Sequence, residues 1–184
     1  MDTGTITAST WYAVHIATDG TTVIGLLSLS ATAPILPTGY TFSARVGWIR
    51  TDGTVNAYPF PIIQIGNNVQ YKITSGSNLT TMRQMSLGVF GNIVTPVWFA
   101  IDVSQFVPPT SSSIDISLKS TAAGVVAMAP NSSYGSYLST VNSPPIQNLN
   151  GLSQKFRFLL ESSNVYIVSN VSNQSYCLGW EDDL

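Results

Sequence analysis

The chain has 184 residues, a formal net charge of −2 and only 9% charged residues, where a soluble domain usually has about 25%. Seven scattered Lys and Arg give no basic footprint for nucleic acid, and 44% apolar with 10% aromatic residues excludes a disordered chain. No apolar run reaches the ~18–20 residues that span a bilayer, so membrane insertion is not expected, and 24 Ser, 19 Thr and 12 Asn coat the surface with neutral polar groups instead.

In chain order the pattern is strand after strand. Met1-Asp2-Thr3-Gly4-Thr5 has neither the basic nor the apolar region of a secretory signal. Trp11 to Ile16 alternates and is rich in β formers. Asp19-Gly20 separates it from Val23–Leu29 as a hairpin turn would. Residues 40–50 give the cleanest strand, with Tyr40, Phe42, Ala44, Val46 and Trp48 on one face and Thr41, Ser43 and Arg45 on the other. Gly47, on the Arg45 side, marks a bulge or a close approach by another backbone. Asp52-Gly53 turns the chain into a strand at 54–58, and 60–65 with 69–73 forms a hairpin about Gly66-Asn67-Asn68.

Strands follow at 85–90, 97–103 and 113–119, the last with Ile114, Ile116 and Leu118 inward and Asp115, Ser117 and Lys119 outward. A weaker one spans 124–128; 155–160, 165–169 and 176–180 close the chain. Residues 105–113 read as a crossover between sheets. No window holds a 3.6-residue period, and ten prolines argue against long helices. The expected fold is all-β: an antiparallel, jelly-roll-like β-sandwich of about a dozen short strands. One domain over 1–184 is expected, with a long irregular loop at about 129–153.

Enzyme chemistry finds few groups to work with. A glycan depolymerase needs two carboxylates facing one cleft, but the internal acids near predicted strands are Asp102, Asp115 and Glu161, and Asp102 and Asp115 alternate with apolar neighbours as outward residues do. The one histidine, His15, and the one cysteine, Cys177, are not brought together by sequence. They supply neither a disulfide nor a zinc site, and Cys177 reads as a small buried hydrophobe. Glu181-Asp182-Asp183 reads as a solvated tail rather than a Ca²⁺ site. No catalytic residue, metal or cofactor is assigned. Four Asn-x-Ser/Thr sites are close to what the composition alone produces.

Binding is the reading that survives. Asn131, Tyr134 and Tyr137 lie in Asn-Ser-Ser-Tyr-Gly-Ser-Tyr, a composition used by antibody paratopes. There tyrosine supplies amphipathic area and small polar residues supply adaptable hydrogen bonds. The same mixture suits sugars. The alternative is that both tyrosines pack the loop onto its own scaffold or a neighbouring subunit. Trp11, Trp48 and Trp98 read as core or subunit-interface residues.

Over residues 9–60, Leu29-Ser-Ala-Thr-Ala-Pro-Ile-Leu-Pro-Thr-Gly-Tyr40 followed by Ala44-Arg-Val-Gly-Trp-Ile-Arg-Thr-Asp-Gly53 resembles a segment recurring in bacteriophage and prophage tail-fibre and other virion-appendage proteins. The resemblance implies a virion protein made in the host cytoplasm, a homotrimer, and attachment to a host-surface polysaccharide or other receptor. A structural capsid-decorating or fibre-joining protein, contacting only other virion proteins, is the alternative.

Overall fold

The computed structural model describes residues 1–149 and 152–183. Among them 13 strands in antiparallel sheets make up 47% of the chain with no helix, so the protein has the all-β, sandwich-type architecture that its period-two alternation demands. The backbone is organised as two compact units, Met1–Thr80 with the chain's last residues from Asp182, and Thr81–Glu181.

In the first unit, β1 (Trp11–Thr18), β2 (Val23–Ser28) and β3 (Phe42–Arg50) form a sheet in the order β2-β1-β3. The Asp19 carboxylate closes the β1–β2 turn by accepting from the backbone N–H groups of Thr21 and Thr22 at 2.8 and 2.7 Å. This is why Asp precedes the turn glycine here.

The expected faces of β3 are corrected by a bulge. Val14 pairs with Gly47 and His15 with Arg45, leaving Val46 unmatched. An extra residue inverts the side-chain alternation beyond it. Arg45 and Trp48 therefore share the buried face with Ala13, His15 and Ala17, while Phe42 and Ala44 lie on the opposite, exposed one. On the buried face Arg45 sits over the Trp48 ring at 5.5 Å, Trp48 meets Trp11 edge-on at 6.5 Å, and Arg50 covers Trp11 at 5.6 Å. This Arg–Trp–Trp–Arg row lets two guanidinium groups sit among apolar residues. The close neighbour of Gly47 is a side chain. A Cβ there would meet Gln64 Oε1 at 2.5 Å, and Gln64 Nε2 donates to the Val46 carbonyl at 2.8 Å.

Residues 54–58 are not the expected strand. Asp52 Oδ1 accepts from the Thr54 N–H and hydroxyl at 3.0 and 2.6 Å, and Ala57 adopts φ 48°. These bonds turn the backbone out of extension, and only the Thr51–Pro59 bridge remains. β4 (Ile62–Ile65) and β5 (Asn68–Tyr71) form the hairpin about Gly66-Asn67.

In the second unit, one sheet has the order β10 (Ile146–Leu149), β9 (Val125–Ala129), β12 (Asn164–Ser169), β7 (Phe99–Asp102). The other places β11 (Ser153–Leu159), β8 (Ser111–Ser120) and β13 (Asn173–Asp182) side by side, with β6 (Arg83–Gly88) also on β13. Residues 105–113 join β7 in one sheet to β8 in the other, as expected of a crossover. The apolar core is built from all five residues of β9, Val165, Ile167 and Val168 of β12, and Ile114, Ile116 and Leu118 of β8. A fully buried run like β9 cannot alternate, which explains its faint signal in the sequence. The stretch 129–153 is not irregular throughout, since it carries β10 and the start of β11; residues 150 and 151 lie outside the described residues.

Candidate functional site

The candidate site is the connection between β9 and β10 in the second unit. Its three sequence-derived residues sit in a loop tied down at both ends. Asn131 Oδ1 accepts from the Ser133 N–H at 2.9 Å, and its Nδ2 donates to Glu161 Oε2 at 2.6 Å. The Gly135 N–H donates to the Asn142 carbonyl at 2.8 Å. A Cβ at Gly135 would lie 2.3 Å from Asn142 Oδ1, so a larger residue there would push the Asn142 side chain aside.

The middle of the loop is pinned by a residue that precedes β7. Trp98 Nε1–H donates to the Tyr134 carbonyl at 2.9 Å. Tyr137 and Trp98, both half-buried, pack against the cluster Ile93, Val125, Ala127 and Val168. Tyr137 thus has the packing role weighed above as the alternative. Tyr134, also half-buried, is held through its backbone. Leu138 and Val141, in the same loop, are 68% and 93% exposed. The sequence did not single out Trp98 or Glu161 for this place. The available signal was the indole N–H, which finds an acceptor when an interior takes the ring.

No family model, curated protein or solved structure matches the chain.

The remaining reactive groups are committed elsewhere. Cys177 is fully buried, and burial pushes its thiol up to about 12. A thiolate nucleophile therefore does not form at neutral pH. His15 Nε2 lies 3.1 Å from the Ser30 carbonyl, which it satisfies as a donor. Burial pushes the Asp115 carboxyl up, but the Arg157 hydrogen bond and the nearby Lys155 and Arg157 charges more than reverse this, leaving it below the ordinary carboxylate range. The ion pairs are 2.8 Å to Arg157 and 3.6 Å to Lys155. Asp115 is therefore held as a carboxylate, the wrong state for a general acid.

The C-terminal acids are not the solvated tail expected. Glu181 pairs with Arg157 at 3.0 Å. Asp182 is 1% exposed and pairs with Arg45 at 2.6 Å, while its N–H donates to the Asn67 carbonyl at 2.8 Å. Arg45 also donates to the Asp183 carbonyl. Among the described residues no group of three or more His, Cys, Asp or Glu could hold a metal ion, and no helix is long and apolar enough to cross a membrane.

Proposed function

We propose that this chain is a module of a phage virion appendage, of tail-fibre tip or spike type, that attaches to a host-surface glycan or other receptor by contact and breaks no bond. The provenance rests on the likeness of residues 9–60 to appendage proteins. The attachment reading is carried by one observation, the Trp98–Tyr134 hydrogen bond, which fixes a loop of Tyr, Ser, Asn and Gly against a rigid sheet. A loop held in one shape loses little entropy on binding. Tyr134 supplies a ring for the apolar face of a sugar, and Asn131 with Glu161 supplies amide and carboxylate groups for its hydroxyls. With a net charge of −2, long-range steering is weak, and recognition falls to aromatic faces and hydrogen bonds.

The structural alternative, a capsid-decorating or fibre-joining protein, is favoured by a different observation. Phe42, Val23 and Ile16 are 68%, 66% and 44% exposed, and apolar side chains left in water suit assembly.

Incubating the purified chain with host cells, with an array of bacterial surface polysaccharides and with purified virion proteins separates the readings. Attachment predicts retention on cells or on a polysaccharide without release of reducing ends. Binding to virion proteins alone favours the structural reading. New reducing ends would make the chain a depolymerase.

A further inference from the structure

Between Lys119 and Lys155 the sequence carries no charged residue and no histidine, so the loop at Tyr134 brings no charge of its own. Its charged partner is Glu161, tied in by the 2.6 Å bond from Asn131 Nδ2 to Glu161 Oε2. Glu161 is exposed, and its Oε1 has no hydrogen-bond partner among the described residues. The β11–β12 turn that carries it is fixed on both sides. The Leu160 N–H donates to the Ser112 carbonyl at 2.9 Å, and the Val103 N–H donates to the Ser163 carbonyl at 2.8 Å. The Asn164 N–H donates to the Ser162 hydroxyl at 3.1 Å.

The cations of the second unit are committed away from this carboxylate. Asp115 engages Arg157 at 2.8 Å and Lys155 at 3.6 Å, and Glu181 takes Arg157 at 3.0 Å. Lys119 pairs with Ser153, at the opposite end of the β8–β11 ladder from Leu159. Six strand residues separate those ends, about 20 Å, well beyond the ~8 Å over which exposed charges act at physiological salt. Arg83 lies over the Phe106 ring at 5.1 Å. The residue opposite Asn164 on β7 is a second acid, Asp102. A uronate, sialate or phosphate entering this site would meet like charge and find no cation to pair with, which is costly once water is excluded. A sugar hydroxyl would instead donate to the carboxylate, and such a bond is stronger than one to a neutral acceptor.

We propose that the loop site selects uncharged polysaccharides and rejects those bearing carboxylate or phosphate groups, with Glu161 setting the preference. The inference rests on the attachment reading and names the receptor class for it.

The test measures the affinity of the full chain for a panel of neutral and acidic bacterial surface polysaccharides. The wild type is expected to bind its best neutral member at least about tenfold more tightly than any acidic one. Because the repulsion is screened, residual binding to acidic members should rise with added salt. Glu161→Gln keeps an oxygen to accept from Asn131, so its circular-dichroism spectrum and urea midpoint should match the wild type. It is expected to bind the neutral polysaccharide about fivefold more weakly and to narrow the gap to the acidic ones. Equal or tighter wild-type binding to an acidic polysaccharide would overturn the proposal. If Tyr134→Ala abolishes that binding, the attachment reading survives without the proposal. A folded Glu161→Gln with an unchanged preference would overturn it too. Retention on no polysaccharide at all would end the attachment reading and the proposal together.

Discussion

The indole N–H of Trp98 donates to the backbone carbonyl of Tyr134 at 2.9 Å, so a residue just before β7 fixes the middle of a loop 36 positions away. Trp98→Phe keeps most of the ring's packing and removes the donor. A loss of about 1 kcal/mol in urea unfolding is expected from one hydrogen bond. Faster amide exchange at residues 131–142 should accompany it, because the loop loses its central tie. Unchanged exchange in that loop would show that the bond does not hold it.

The two tyrosines should separate in their effects. Tyr137 packs on Ile93, Val125, Ala127 and Val168, so Tyr137→Ala is expected to cost about 2 kcal/mol of stability, less than for a fully buried aromatic. Tyr134 is tied through its backbone, which an alanine keeps, so Tyr134→Ala should unfold within about 0.5 kcal/mol of the wild type. Denaturant midpoints of the two variants check this directly. Equal losses would contradict the division of roles.

Much of this was legible in the residues themselves. The alternation in Ile114, Ile116 and Leu118 located β8, and Asp19-Gly20 located the first hairpin. The Val46 bulge was not legible, because Gly47 signals an irregularity without saying which residue is the extra one, and that residue decides which face Phe42 occupies. β10 was hidden because Ile146 to Leu149 is four residues long and follows Pro144-Pro145. In the loop, composition singled out Asn131, Tyr134 and Tyr137, whereas Trp98 and Glu161 come from distant segments that only the fold brings in. The burial of Asp182 depends on Arg45, 137 positions away.

Removing one partner of the Arg45–Asp182 pair leaves a buried charge without its main counter-ion. Arg45→Met is expected to cost about 3 kcal/mol, measured by thermal or urea unfolding. Arg45→Met with Asp182→Leu should recover a large part of that loss. A double variant no more stable than Arg45→Met would show that the carboxylate is satisfied by other groups.

Asp115 titrates below its ordinary range in the folded chain. Its contribution to stability is present above the unfolded carboxylate value of about 3.9 and disappears as the pH falls through the folded value. Acid unfolding of the wild type should therefore show a stability loss below about pH 4 that Asp115→Asn reduces. Identical acid profiles would remove the carboxylate from the explanation.

Cys177 titrates in the opposite sense. Burial raises its thiol to about 12, so the unfolded chain ionises first. Its stabilising effect is complete below about pH 8.5, the unfolded value, and is lost as the pH rises through the folded one. At neutral pH a thiol reagent should leave the native chain unmodified and label it fully in denaturant. Rapid native labelling would contradict the burial.

Contact through the loop at Tyr134, without bond cleavage, is tested most directly by the affinity of wild type and Tyr134→Ala for the polysaccharide that retains the wild-type chain. With both proteins equally folded, the variant is expected to bind about tenfold more weakly, as loss of one stacking ring would give. Equal affinity, or shortening of the polysaccharide during the titration, would contradict it.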